Sequence, residues 1–169
     1  YVYKILNLNQ EVTIGITGKY TTLRDSYASI IKALEHAGTH LGLKVNLKWI
    51  DTTDLTEEKA KEELKEVQGI IVPGAFGSRG AEGKINCIKY ARENKVPYLG
   101  LCYGFQMAVI EFARNVCGLS GCNSTEIEPN CANPIIDILP EQKAINSLGG
   151  NMRLGGQEVE VKCGTTAFE

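Results

Sequence analysis

Short apolar runs alternate with segments of helical period along the first half of the chain. Residues 11–18 form an apolar run that ends in glycine, as a buried strand does, and residues 44–50 alternate polar and apolar side chains, as a half-buried strand near a sheet edge does. Between them, over residues 22–42, apolar side chains recur at helical spacing on one face: Leu23, Tyr27, Ile30, Ile31, Leu34, Ala37 and Leu41. Residues 56–66 predict a second helix, and the apolar run at 69–72 is typical of an interior parallel strand.

The same alternation continues in the second half. A glycine-rich loop at residues 73–83 precedes a predicted helix at 84–94, and an apolar strand from residue 96 leads into a helix at about 104–117. Further on the regularity fades into a loop-rich tract, although residues 159–163 alternate like a strand. This spacing predicts an α/β fold, a doubly wound and mainly parallel sheet with helices on both faces, whose site lies beyond the carboxyl ends of the strands.

Composition limits the classes of function without choosing among them. With 169 residues, 43% of them hydrophobic, residues 1–169 predict one globular domain with a substantial core. A net charge of −2, with acids and bases interspersed, does not favour nucleic acid or an anionic membrane as a partner. No apolar run approaches the roughly 18 residues that span a bilayer and no signal peptide precedes the first strand, so we expect a cytoplasmic protein. Because the chain starts at Tyr1 and ends without a closing element, we expect it to be part of something longer.

The cysteines predict neither disulfides nor a metal site. They are Cys87, Cys102, Cys117, Cys122, Cys131 and Cys163. A chain of this size without secretory features needs no covalent cross-links, so we expect free thiols in a reducing cytosol. Cys117, Cys122 and Cys131 lack the spacing of common zinc sites and no histidine lies nearby, so no metal is expected.

The clearest candidate for chemistry is the segment Gly100-Leu101-Cys102-Tyr103-Gly104. A cysteine with glycine two residues away on each side, between a strand and a helix, is the thiol form of a nucleophile elbow. The backbone at the tip of such a turn is strained, and side chains at the glycine positions would collide with the neighbouring strand and helix. The N-terminus of the following helix would favour a thiolate at Cys102. The alternative is a cysteine buried for packing, since free cysteine is among the most buried residue types.

The glycine-rich loop at residues 73–83 should lie beside Cys102, because both follow parallel strands at their carboxyl ends. It matches neither G-x-x-x-x-G-K-[ST] nor G-x-G-x-x-G, so a phosphate-binding loop is not favoured. An oxyanion hole fits better, with one backbone N–H from this loop and another from Tyr103. Glu126, in the later loop-rich tract, is most simply a solvated acid.

Several motifs together resemble a known family. Residues 100–106 (Gly-Leu-Cys-Tyr-Gly-Phe-Gln) are similar to the nucleophile motif of class I, triad-type glutamine amidotransferases. Residues 73–80 (Pro-Gly-Ala-Phe-Gly-Ser-Arg-Gly), 123–126 (Asn-Ser-Thr-Glu) and 152–155 (Met-Arg-Leu-Gly) resemble the glutaminase domains of the CTP synthase family. The motifs occur in the family's order, and the resemblance covers essentially the whole chain.

The resemblance implies a flavodoxin-like glutaminase domain that hydrolyses glutamine to glutamate and ammonia and needs no cofactor of its own. The ammonia passes to a synthase domain, expected upstream of Tyr1, that aminates UTP to CTP. There ATP, accompanied by magnesium, activates O4 of UTP. GTP activates the glutaminase step allosterically, and the whole enzyme is a homotetramer.

The resemblance also implies roles for particular residues. Cys102 attacks the side-chain amide of glutamine and forms a thioester, while the backbone N–H groups of Ala75 and Tyr103 hold the oxyanion. Glu126 takes the α-ammonium of the substrate. The other residues of the substrate pocket are Gly74, Ala75, Phe76, Tyr103, Gly104, Phe105 and Gln106.

This chain departs from the family at two places. Position 75 is alanine where the family usually has glycine, and a left-handed backbone would cost alanine about 1 kcal/mol or more, so we predict a negative φ or visible strain at Ala75. The family's base is a histidine in a His-Pro-Glu motif downstream of residues 152–155, followed by a further glutamine-binding segment. This chain has only His36 and His40, on the first predicted helix, and neither is a credible partner for Cys102. We therefore expect the C-terminal part of the domain to be missing here, and Cys102 to react better than it turns over.

Two other interpretations stay open. The glutaminases of GMP or anthranilate synthesis share the nucleophile motif but generally lack the motifs at residues 123–126 and 152–155. The other interpretation is a non-catalytic doubly wound module that binds a partner and keeps a buried cysteine. Alkylation by a glutamine-like electrophile separates it from a catalytic pocket, in which Cys102 reacts far faster than Cys87 or Cys163.

Overall fold

The parallel sheet and its helices lie in the first of two units into which the chain divides, Tyr1–Asp137 and Ile138–Glu169. The structure, a computed structural model, describes residues 5–6, 8–19, 24–140, 156, 158–165 and 168. In the second unit, residues 158–165 form no strand and are all exposed. The strand predicted at residues 159–163 is therefore wrong, because an alternating pattern favours a strand only where one of its two faces is buried.

Four strands form the sheet in the order β2-β1-β3-β4. They are β1 (Gln10–Gly18), β2 (Leu43–Asp51), β3 (Gly69–Val72) and β4 (Tyr98–Gly100). All three pairings are parallel, with Ile16 opposite both Trp49 and Ile71, and Ile71 opposite Leu99. This is the strand order of a flavodoxin-like sheet, and it confirms the predicted α/β class.

Helices connect the strands on both faces of the sheet. A 3-10 turn at Arg24–Tyr27 precedes α1 (Ala28–Leu41), and the later helices are α2 (Glu57–Leu64), α3 (Ala81–Asn94) and α4 (Tyr103–Asn115). α3 packs against both α2 and α4, whereas α1 packs against β2. β2 pairs with one edge of β1, and β3 pairs with the other edge, so the first crossover runs in the opposite direction to the later ones. Because such crossovers are right-handed, α1 lies on the face of the sheet opposite the other helices.

The sequence explains most of the element ends. Thr56 caps α2, its side chain accepting a hydrogen bond from the Lys59 N–H, and Gly42 ends α1 at a φ of 76°. β3 is buried along its whole length, as predicted for an interior strand. The apolar face predicted for the first helix is less buried than expected: Ile30, Ile31 and Leu34 are half-buried, Ala37 and Leu41 are exposed, and Leu23 lies outside the described residues.

α3 begins at Ala81, three residues earlier than predicted, because two glycines let its N-terminus approach the loop after β2. A Cβ at Gly80 would lie 2.8 Å from Thr52 Oγ1, and one at Gly83 would lie 2.9 Å from the Thr52 carbonyl carbon. This approach fixes where the glycine-rich loop ends and buries Lys84 in the first turn of the helix. The hydrophobic core lies between the sheet and α2, α3 and α4.

A second, two-stranded parallel pair follows α4, formed by β5 (Cys122–Ser124) and β6 (Asn133–Ile136). The prediction of a loop-rich tract missed it, because three-residue and four-residue strands give almost no periodic signal. No helix in the described part of the chain is both long and apolar enough to cross a bilayer.

Candidate active site

Cys102 occupies the turn between β4 and α4, in a strained backbone conformation. Its φ is 52° and its ψ is −106°, and among the described residues only Lys95 shares a positive φ without being glycine. Such a conformation costs on the order of 1–3 kcal/mol and persists only where the surroundings enforce it. The predicted elbow is therefore present, with the sulfur at the N-terminus of α4.

The two glycines of the elbow have the steric role that the sequence predicted. A Cβ at Gly100 would lie 2.7 Å from the Phe105 nitrogen, and one at Gly104 would overlap the Val72 carbonyl oxygen and lie 2.9 Å from its carbonyl carbon. The Leu101 N–H donates to the same Val72 oxygen at 2.9 Å. The turn is thus pressed against the end of β3 and can curve only with glycine at both positions.

Cys102 is exposed, whereas Cys87 and Cys122 are buried. Burial raises the pKa of the Cys87 thiol to about 12, which keeps it protonated and unreactive. Cys102 is therefore not buried for packing, as the alternative interpretation of the elbow required. Among the described residues, no group of three or more histidine, cysteine or acidic side chains is arranged to hold a metal ion.

The glycine-rich loop lies beside Cys102, as expected from the two strand ends. A Cβ at Gly74 would lie 3.8 Å from the Cys102 Cβ and 3.9 Å from the Leu101 carbonyl oxygen. Ala75 is half-buried against the core, and it is not among the residues with positive φ, which confirms the prediction for this position. Alanine therefore replaces the family's usual glycine without a left-handed backbone.

Two side chains hold the backbone of Gly77, further along this loop. The Gly77 N–H donates to Glu126 Oε1 at 2.6 Å, and the Gly77 carbonyl accepts from the Tyr103 hydroxyl at 2.7 Å. Glu126 is exposed, but it is not simply a solvated acid, because its carboxylate bonds to the loop beside Cys102. No pattern in the sequence indicates this contact, which joins residues that are 49 positions apart.

Glu126 is presented by a turn that β5 anchors. Asn123 and Ser124 are buried in β5. The Ser124 carbonyl accepts hydrogen bonds from the N–H groups of Ile127 and Glu128. The Ser124 hydroxyl accepts a hydrogen bond from the Glu126 N–H at 3.2 Å. The motif at residues 123–126 is thus a strand end and a tight turn that aim one carboxylate at the glycine-rich loop.

The Tyr103 side chain is buried, with 2% of its surface exposed. Burial, together with the negative charges of Glu126 and Glu82, raises the pKa of its hydroxyl to about 12. The hydroxyl therefore stays protonated at neutral and mildly alkaline pH and keeps donating to Gly77 there. The sequence predicts roles for the backbone of Tyr103 and for its place in the pocket, but not this bond from its hydroxyl.

The other expected pocket residues are placed around the elbow with different exposures. Phe76 and Phe105 are exposed, and Gln106 is half-buried with its N–H donating to the Cys102 carbonyl at 3.2 Å. Lys19, at the end of β1, donates from Nζ to the Phe76 carbonyl, a second contact that the sequence did not indicate.

The two histidines lie far from Cys102 in the fold. His36 and His40 are on α1, which packs against β2, and β2 and β4 are the two outer strands of the described sheet. The motif at residues 152–155 lies outside the described residues. The site in the described structure thus consists of Cys102, the neighbouring loop and the Glu126 carboxylate.

Known proteins resemble this chain in both sequence and fold. The family Glutamine amidotransferase class-I matches residues 22–168. The CTP synthases of Staphylococcus carnosus and Archaeoglobus fulgidus are each 55% identical, over 96% and 99% of this chain. A solved structure of the Trypanosoma brucei CTPS glutaminase domain with bound acivicin superposes with a TM-score of 0.71 at 36% identity, over 78% of this chain and 51% of that one. The chain spans only 30% and 31% of the length of those two curated relatives.

Proposed function

The chain belongs to the class-I glutamine amidotransferase family, and on that basis we propose that Cys102 is the nucleophile of a glutaminase. The observation that carries the proposal is the exposed, strained Cys102 at the head of α4 with the glycine-rich loop against it. The acivicin bound in the Trypanosoma brucei domain is a glutamine analogue, which supports glutamine as the substrate.

In the proposed reaction the Cys102 sulfur attacks the side-chain amide carbon of glutamine. The C–N bond breaks, ammonia leaves with the proton that the thiol gave up, and a thioester remains. Water then hydrolyses the thioester, which releases glutamate and restores the thiol. Both steps pass through a tetrahedral intermediate whose oxygen carries negative charge.

The backbone N–H groups of Ala75 and Tyr103 would stabilise that oxygen. Tyr103 is the first residue of α4, so its N–H has no partner within the helix and points toward the elbow. Glu126 would bind the α-ammonium of glutamine, since it brings a carboxylate to the same loop. The pocket would be completed by Gly74, Phe76, Gly104, Phe105 and Gln106.

We further propose that this glutaminase serves a CTP synthase. Identity of 55% over nearly the whole chain supports that assignment over other biosynthetic amidotransferases. Residues 1–169 would be part of the glutaminase domain, with its remaining C-terminal part and an upstream synthase domain outside this chain. In the whole enzyme, a cytoplasmic homotetramer, ammonia would aminate UTP in a step that uses ATP and magnesium, and GTP would activate glutamine hydrolysis.

The mass of the intact chain after incubation with a glutamine-analogue chloroketone tests the glutaminase proposal. The Cys102 sulfur bonds to the chloromethyl carbon and chloride leaves, so one adduct per chain is expected, and the Cys102→Ser variant should gain none. Cys117 and Cys163 are exposed and serve as internal references for non-specific alkylation. No adduct on the wild-type chain, or label spread evenly over the exposed cysteines, would overturn the proposal.

A further inference from the structure

We propose that the side chains of Tyr103 and Glu126 hold Gly77 from its two sides and so position the glycine-rich loop for the reaction at Cys102. This inference rests on the proposed glutaminase function and assigns positioning roles within it. It gives Tyr103 a second role, through its side chain, besides that of its backbone.

The loop needs such support because, apart from the Lys19 bond to the Phe76 carbonyl, little else fixes it at this point. Phe76 is 69% exposed, so its ring does not anchor the loop in the core. Gly77 has a φ of 74°, and a Cβ there would meet nothing within 4 Å. A glycine in open space has the most backbone freedom to lose. Its conformation is therefore set by the two hydrogen bonds that its N–H and carbonyl make.

Tyr103 is suited to the task because it joins the two halves of the proposed oxyanion hole. Its backbone follows Cys102 directly, and its ring is immobilised in the core. Its hydroxyl reaches the loop that carries Ala75 and donates to the Gly77 carbonyl at 2.7 Å. A shift of the loop away from the elbow would lengthen that bond. The side chain thus fixes the separation between the two backbone donors.

Glu126 connects the same loop to substrate recognition. Its Oε1 accepts the Gly77 N–H at 2.6 Å. A carboxylate has two oxygens and about four acceptor positions, so it can bind an ammonium group while it holds the loop. Binding of the glutamine α-ammonium and ordering of the loop would then favour each other.

Two electrophiles distinguish positioning from general stability in the 169-residue chain. The glutamine-analogue chloroketone needs its carbonyl polarised and its ammonium bound, whereas iodoacetamide needs only an accessible Cys102 thiolate. Tyr103→Phe should slow the maximal chloroketone rate by about three- to tenfold, the effect of one hydrogen bond, and change the iodoacetamide rate less than about twofold. Tyr90→Phe, which removes a hydroxyl from α3 outside the site, should change neither rate.

Variants of Glu126 separate its two roles. Glu126→Gln keeps an oxygen for the Gly77 N–H but loses the charge, so it should raise the half-saturating chloroketone concentration and leave the maximal rate nearly unchanged. Glu126→Ala loses both the acceptor oxygen and the charge, so it should also lower the maximal chloroketone rate. Equal slowing of both reagents in Tyr103→Phe, or equal maximal rates in Glu126→Gln and Glu126→Ala, would overturn the positioning roles.

Amide hydrogen exchange tests the two contacts without reference to activity. In Tyr103→Phe and Glu126→Ala, exchange over residues 74–78 should be faster by about three- to tenfold, while exchange in α2 stays as in the wild-type chain. Unchanged exchange in both variants means that these side chains do not hold the loop. Faster exchange in a chain that the chloroketone never labels would instead contradict the glutaminase proposal and leave the contacts established.

Discussion

Gly104 packs directly on the backbone of Val72, with no room for a side chain between α4 and β3. A Cβ at position 104 would overlap the Val72 carbonyl oxygen and lie 3.0 Å from the Val72 Cβ. Val72 is fully buried and is hydrogen-bonded through that oxygen to the Leu101 N–H, so it cannot move away. The elbow therefore depends on this contact as much as on the turn itself.

Gly104→Ala should destabilise the chain by about 3 kcal/mol or more, because backbone rather than a flexible side chain opposes the new methyl group. Alanine's better helix propensity, worth about 1 kcal/mol, does not offset the clash. Gly118→Ala is the matched control: its φ is 68° and a Cβ would meet nothing within 4 Å, so only about 1 kcal/mol of backbone strain is expected. Urea unfolding measures the free energy of unfolding of both variants, and equal losses of stability would contradict the steric explanation.

Cys102→Gly should raise the free energy of unfolding by about 1 kcal/mol relative to Cys102→Ala, since glycine adopts a positive φ without strain. The same variant loses all chloroketone labelling, so stability and reactivity change in opposite directions. Lys95→Gly, at a φ of 54° beyond the end of α3, should also stabilise the chain but leave labelling intact. If Cys102→Gly and Cys102→Ala unfold at the same urea concentration, the elbow stores no strain.

The four strands of the main sheet and the elbow could be predicted because their signals are local. An apolar run of the right length specifies β3, and a glycine on each side of a cysteine after a short strand specifies the turn at Cys102. The positions of Gly74 and Cys102 at neighbouring strand ends then followed from topology alone. These features need no knowledge of which distant side chains meet.

The contacts that the sequence did not reveal are made between distant segments. The bond from Gly77 to Glu126 depends on how β5 and its turn dock, and no pattern in residues 123–126 specifies the partner. Lys84 is a charged residue at a helix start, a position that is usually solvated. It is buried because Gly80 and Gly83 bring α3 onto Thr52.

Arg92 and Glu111 form an ion pair between α3 and α4 that is unequally buried. Glu111 has 1% of its side chain exposed and Arg92 has 33%, and Arg92 Nη2 lies 2.8 Å from Glu111 Oε1. Arg92 Nε bonds both carboxylate oxygens at 3.1 Å, and these bonds raise the pKa of the guanidinium. Only the arginine can turn to water if its partner is removed.

Arg92→Met should therefore cost about 3 kcal/mol, because it leaves a buried carboxylate that, among the described residues, only Asn115 still bonds. Glu111→Gln should cost about 1 kcal/mol, since the freed guanidinium can be hydrated. The double variant Arg92→Met/Glu111→Leu should recover to within about 1 kcal/mol of the wild-type chain. Urea unfolding of the three variants measures these losses of stability. A smaller loss of stability in Arg92→Met than in Glu111→Gln would contradict the unequal burial of the pair as its cause.

Lys84 and Cys87 are both buried on α3, and their pKa values are shifted in ways that act oppositely on stability. Burial, followed by the charge of Lys19, lowers the pKa of Lys84 from 10.5 to about 8, and its Nζ donates to Thr52 Oγ1 at 3.3 Å. Burial raises the pKa of Cys87 from 9.0 to about 12. Each shift means that the folded and unfolded chains bind different numbers of protons over part of the alkaline range.

Stability should therefore rise by about 1–2 kcal/mol between about pH 7.5 and pH 9.5. In that range the unfolded chain keeps the Lys84 proton that the folded chain loses above about pH 8, which favours folding as the pH rises. Cys87 opposes this rise in stability from about pH 9, where only the unfolded chain loses its thiol proton.

Urea unfolding should show the rise in stability with pH abolished or reversed in Lys84→Met and steepened in Cys87→Ala. The slope with pH is compared, not the absolute stability, so cavity effects of either substitution do not matter. A rise in Lys84→Met equal to that of the wild-type chain would mean that the buried ammonium does not titrate there.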